Sequence, residues 1–224
     1  PICRSPLPLA TFVLGLLAPL PSTAQESVEV KVLCFPKQAQ PSEIEVLVDE
    51  GKTATIKLQS HEFTLPLKLP RQTAWRFGQS GTDADGNFTF NTHAEAKPLR
   101  SAKQLLVFIR KGRKNADGFR VIPLDAIDLK GKDYLIMNLS TQQIAGVAGG
   151  NKFKLAPKRH VTVRPKPDRG KDLCFASLAY QRADQWRPFF SSNWRLREKC
   201  RTLIFLYNPR ATGSPRLHSV IDPL

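Results

Sequence analysis

Between Arg182 and Arg201 the chain carries Trp186, Phe189, Phe190 and Trp194, interleaved with Arg187, Arg195 and Arg197. These residue types suit recognition more than bond-making. Trp and Arg dominate binding hot spots, and flat aromatic faces match sugar rings. The candidate contact residues are therefore Trp186, Arg187, Trp194, Arg195, Arg197 and Arg201, facing a glycan or a protein. A core-filling role competes with this one, because strand alternation sends half of such a run inward.

Other chemistry-bearing residues lead nowhere specific. Asp83, Asp85 and Asn87 surround Gly86 like half of a calcium loop. An EF-hand needs a bidentate Glu at the twelfth position, which is Ala94 here, so a β turn is the better reading. His61, His93, His160 and His218 show no spacing that places two on one element for a metal. No Gly-x-Ser-x-Gly elbow is present. Carboxylates are sparse in the second half, without a pair suited to glycosidase chemistry. Gly146 to Gly150 lacks the following helix that a phosphate cradle requires. The expectation is a protein that is not an enzyme and carries no cofactor and no metal.

The compartment follows from the first residues. Arg4 is the only charge before Glu26, an apolar stretch runs from Leu7 to Leu20, and Ser22-Thr23-Ala24 follows. A basic start, a short apolar centre and a small-x-small end make a secretory signal over residues 1–24. The apolar run is shorter than the roughly 20 residues that cross a bilayer. Cleavage before Gln25 leaves a mature chain with no further transmembrane segment, exported to the periplasm or the extracellular space. Three cysteines remain, Cys34, Cys174 and Cys200. Two readings stay open for them: a disulfide, with Cys174–Cys200 the first pair to consider, or three buried thiols serving as small apolar residues.

Charge divides the mature chain. Residues 25–96 hold seven Lys/Arg against ten Asp/Glu, a net of −3; residues 97–224 hold 26 against nine, a net of +17. A field of this kind draws in polyanions. After export these are anionic polysaccharides or other envelope components, with nucleic acid disfavoured as a partner. A solvated basic surface that serves solubility is the plain alternative.

The elements that must position these residues are strands. Apolar residues recur with period two over Val28–Val32, Ile44–Val48 and Thr53–Leu58. The last two runs form a hairpin across the turn candidate Asp49-Glu50-Gly51-Lys52. Phe63–Leu69, flanked by Pro66 and Pro70, reads as an edge strand. Lys103–Arg110 (KQLLVFIR) and Leu203–Tyr207 are the most apolar strands. Short helices fit only Thr92–Lys103 and Asn193–Lys199, and no fixed-period repeat is visible. The expected fold is all-β: an antiparallel β-sandwich of Ig-like, Greek-key type with little helix. It divides as a β lobe over residues 25–96 and a basic β-sandwich lobe over 97–224.

Two resemblances support the β class. Thr82 to Phe90 (Thr-Asp-x-x-Gly-x-Phe-x-Phe) resembles a hairpin of carboxypeptidase-regulatory-like β-sandwich modules. Asp133–Ser140 (DYLIMNLS), Phe153–Pro157 (FKLAP) and Arg201–Asp222 resemble a family of uncharacterised secreted β-rich proteins of environmental bacteria. That resemblance implies a β-rich fold and no activity. The functional expectation is an exported, non-enzymatic protein that binds an anionic glycan, an envelope component or a protein partner. Its alternative is a structural part of an envelope assembly, and an enzyme with a site assembled from distant residues is the third reading.

Overall fold

A computed structural model describes residues 26–35, 42–110, 118–168, 172–209 and 213–224. The expected signal peptide lies outside the described residues. Eight strands come first: β1 (Ser27–Phe35), β2 (Glu43–Asp49), β3 (Lys52–Lys57), β4 (Leu67–Pro70), β5 (Trp75–Thr82), β6 (Phe88–Ala96), β7 (Lys103–Arg110) and β8 (Phe119–Asp125). Eight more follow: β9 (Tyr134–Asn138), β10 (Ile144–Ala148), β11 (Asn151–Leu155), β12 (His160–Val163), β13 (Leu173–Arg182), β14 (Gln185–Arg195), β15 (Cys200–Tyr207) and β16 (Arg216–Pro223). The protein is all-β, and no helix occurs among the described residues.

The strands form four sheets, ordered β4-β1-β7-β8, β3-β2-β5-β6, β12-β9-β15-β16 and β11-β10-β13-β14. Adding eight to each number of the first pair of sheets gives the second pair. The chain therefore builds one eight-stranded sandwich twice, as two lobes. Both parallel pairings obey the rule, β1 with β7 and β9 with β15, and all other pairs are antiparallel. Even a bulge recurs: β6 carries the extra residue His93 opposite β5, and β14 carries Phe189 opposite β13. No repeat was expected, because alternation looks alike in any strand and carries no record of which strands pair.

Three apolar layers hold four sheets together. Val30, Ile44, Trp75 and Phe108 fill the first lobe, and Ile136, Leu178, Trp194 and Ile204 fill the second. The third layer lies between the lobes, where Leu33, Phe35 and Val107 meet Leu135, Met137 and Phe205. Phe35 stacks on Phe205 there, with ring centroids 4.7 Å apart. Sheets β4-β1-β7-β8 and β12-β9-β15-β16 thus lie inside with both faces covered. This explains why β7, β9 and β15 read as continuous apolar runs. β7 and β8, which follow the charge step at residues 96 and 97, pair within the first lobe.

Both expected helices are absent. Thr92–Ala96 completes β6 against β5, and Asn193–Arg195 completes β14 against β13. Tertiary pairing overrides a local pattern that lacked an apolar helical stripe. The Cys174–Cys200 bridge is absent as well: Cys34, Cys174 and Cys200 are free thiols, with Cys174 in an outer sheet and Cys200 in an inner one.

Candidate functional site

The outer sheet of the second lobe, β11-β10-β13-β14, presents its far face to solvent. On β13, Cys174, Ala176, Leu178 and Tyr180 point into the core, so Phe175, Ser177, Ala179 and Gln181 point outward. Ala145 and Val147 of β10 join Ser177 and Ala179 as the floor of a shallow depression of about 480 Å³. Lys152 and Lys154 wall it on β11. Trp186 lies opposite Gln181 on β14, remains 39% exposed, and has the Lys154 ammonium 5.8 Å from its ring centre. Small floor residues, with Trp186 in contact with the Lys154 wall, fit a flat ring or an extended polymer.

Charge marks the sheet, with Lys152, Lys154 and Arg195 on the outward face and Arg187, opposite Tyr180, on the other. The four strands of this sheet carry Lys152, Lys154, Arg182, Arg187 and Arg195, and no Asp or Glu. Their counterparts in the first lobe carry Lys52, Lys57 and Arg76 against Glu43, Glu45, Asp49 and Glu95. One topology thus carries five positive charges in the second lobe and a net of −1 in the first.

The six residues expected to make contacts do not converge. Trp186 and Arg187 stand at the hairpin end of β14, and Arg195 ends the strand. At about 3.3 Å per residue, Trp186 and Arg195 are roughly 30 Å apart. Arg197 is exposed in the turn that follows. Trp194 is only 7% exposed and stacks on Tyr134 at 4.7 Å, where it fills the core. Its inward direction follows from pairing with Cys174. The Tyr134 hydroxyl donates to the Arg195 carbonyl at 2.6 Å, and burial pushes this phenol up to about 12. Arg201 is also withdrawn from the surface, into a polar cluster between the lobes.

That cluster sits at the base of a cleft. Arg201 donates to Asp222 through Nε at 2.7 Å and to the Ala126 carbonyl at 2.6 Å. Lys31, from the other lobe, donates to Asp222 at 3.0 Å and to the Pro223 carbonyl at 3.1 Å. The side chains of Arg201 and Asp222 are 6% and 2% exposed. Above them opens a cleft of about 730 Å³ walled by segments of both lobes. Sequence reasoning missed it because its residues, from Glu29 to Leu224, are up to 195 positions apart, with no local signature.

Reactive groups are otherwise quiet. Burial pushes the Cys34 thiol up to about 11, against a smaller opposing effect of Arg110. Burial raises Cys174 as well. Neither is a ready nucleophile near neutral pH. Asp83 accepts from the Asp85 and Asn87 amides, which closes the β5–β6 turn and lowers its carboxyl, with the Asn87 amide the main cause. Among the described residues no group of three or more His, Cys, Asp or Glu could hold a metal. His61 and His218, from different lobes, approach to 6.1 Å between ring centres. No helix of the described residues is long and apolar enough to cross a membrane.

Fold and surfaces define the class: a two-lobed β-sandwich protein with a basic outer sheet that exposes Trp186 and a cleft between its lobes. No family model matches the chain, and no curated protein matches it.

Proposed function

We propose that this chain is an exported, non-enzymatic binding protein whose second lobe holds an anionic polysaccharide on the outer sheet β11-β10-β13-β14. The observation that carries this reading is the outward-facing pair Lys152 and Lys154, on strands without Asp or Glu, beside an exposed Trp186. The positive field speeds encounter with a polyanion and fades with salt. At short range Trp186 stacks on a sugar ring while Lys152 and Lys154, on the same face, pair with uronate or sulfate groups. The floor of Ala145, Ser177 and Ala179 lets a polymer lie close to the sheet.

The test is retention of the mature protein on immobilised heparin, an anionic glycan, under a salt gradient. The variants Trp186→Ala and Lys152→Glu/Lys154→Glu are expected to elute at distinctly lower salt. Reversal of Lys52 and Lys57 on the equivalent strand of the first lobe is expected to change little. Equal small losses from both reversals would reduce the effect to diffuse charge and defeat the proposal.

A further inference from the structure

We propose that the cleft between the lobes is a second, separate site, which takes a small amphiphile with one anionic head, of the medium-chain carboxylate class. The argument starts from where exposed apolar surface gathers. Among the described residues seven large apolar side chains are exposed, and four of them, Leu65, Ile127, Ile221 and Leu224, line this one cleft. Leu65 is 85% exposed. Soluble surfaces scatter such residues singly, so a cluster around a concavity marks a binding site. The volume of about 730 Å³ lies within the range of small-ligand pockets and is concave, unlike a protein interface.

The floor specifies the head group. Lys31 and Arg201 share the single carboxylate of Asp222, so the buried cluster carries one positive charge in excess. The Arg201 guanidinium is occupied by Asp222 and by the Ala126 carbonyl. Lys31 has three N–H groups and uses two, on Asp222 and on the Pro223 carbonyl. Its side chain is 21% exposed and lines the cleft, so one N–H remains for an incoming acceptor. On the walls, Glu29 pairs with Lys103 at 3.4 Å, which leaves Glu62 as the remaining carboxylate, exposed near the mouth. A carboxylate head seated on Lys31 neutralises the floor, and its chain runs out along Leu65 and Ile127. A cationic head meets the excess charge of the floor and is rejected.

The experiment is calorimetric titration of the mature protein with octanoate, decanoate and dodecanoate, all below their micellar concentrations. Decanol and decyltrimethylammonium serve as comparators. Affinity is expected to rise roughly fourfold per added methylene, with decanoate tighter than decanol and decyltrimethylammonium weakest. Lys31→Gln is expected to weaken decanoate about tenfold while leaving decanol unchanged. Leu65→Ser/Ile127→Ser, at exposed positions that leave the fold intact, is expected to weaken every ligand. Trp186→Ala is expected to change none of these, which separates this site from the outer sheet. Equal binding of decanoate and decyltrimethylammonium, no chain-length dependence, or indifference to Leu65→Ser/Ile127→Ser would each overturn the proposal.

Discussion

Asp222 is the residue whose loss the fold should tolerate least. Its carboxylate is 2% exposed and serves two cations from different elements, Arg201 at 2.6 Å and Lys31 at 3.0 Å. Asp222→Asn keeps the shape and removes the charge, leaving the Arg201 guanidinium buried without a counter-ion. Breaking a buried pair in this way costs about 3–5 kcal/mol, a large fraction of a typical stability of about 5–15 kcal/mol. Arg201→Met is expected to cost less, about 2 kcal/mol, because Asp222 keeps Lys31. The double variant Arg201→Met/Asp222→Leu removes both buried charges and frees Lys31 to turn toward water. It is expected to be more stable than Asp222→Asn alone. Urea unfolding followed by tryptophan fluorescence, with midpoint and slope fitted for each variant, gives the comparison. A loss below about 1 kcal/mol for Asp222→Asn, or simple additivity in the double variant, would refute the view that this cluster is a tightly coupled unit.

Three further outcomes can be checked. Ala183 and Asp184 close the β13–β14 hairpin with φ of 47° and 57°, a conformation that suits Asn-Gly. Ala183→Asn/Asp184→Gly is therefore expected to raise stability by about 1 kcal/mol, read as a higher melting temperature; a lower one would contradict the turn assignment. The Cys34 thiol, pushed up to about 11 by burial, is expected to resist a thiol reagent at pH 8 until the protein unfolds. Rapid labelling of Cys34 in the native state would contradict its placement. Expression in a secreting bacterial host is expected to yield a mature chain beginning at Gln25, read from its intact mass, and a retained residue 1–24 segment would refute export by cleavage.

The β class was legible because half-buried strands leave a period-two signature, as in Val28–Val32 and Ile44–Val48. The edge position of β4 was also legible, since Pro66 and Pro70 cannot serve a central ladder. The inner sheets were harder to see. With both faces apolar, KQLLVFIR announces burial without saying what covers its second side, and the Phe35–Phe205 layer is the answer. The candidate contact residues were scattered, and one bulge separates the two tryptophans. Trp186 and Trp194 are eight positions apart and should share a face, yet one points to solvent and the other into the core. The bulged Phe189 inserts one residue between them and reverses the alternation. Pro188 beside it was the sole local hint. The cleft had no signal at all, because Lys31, Ile127 and Asp222 meet only after the two lobes dock.

The twofold repeat of the sandwich has an electrical consequence. Four stacked sheets about 10 Å apart place the two outer sheets roughly 30 Å from each other. Five cations without a carboxylate sit on one of them, and three cations with four carboxylates on the other. The molecule is a plate with unlike poles. Near an anionic layer such a plate feels a torque as well as a pull, so it settles second lobe down. Its first lobe then faces away from the layer, where a further partner would find it always in the same pose.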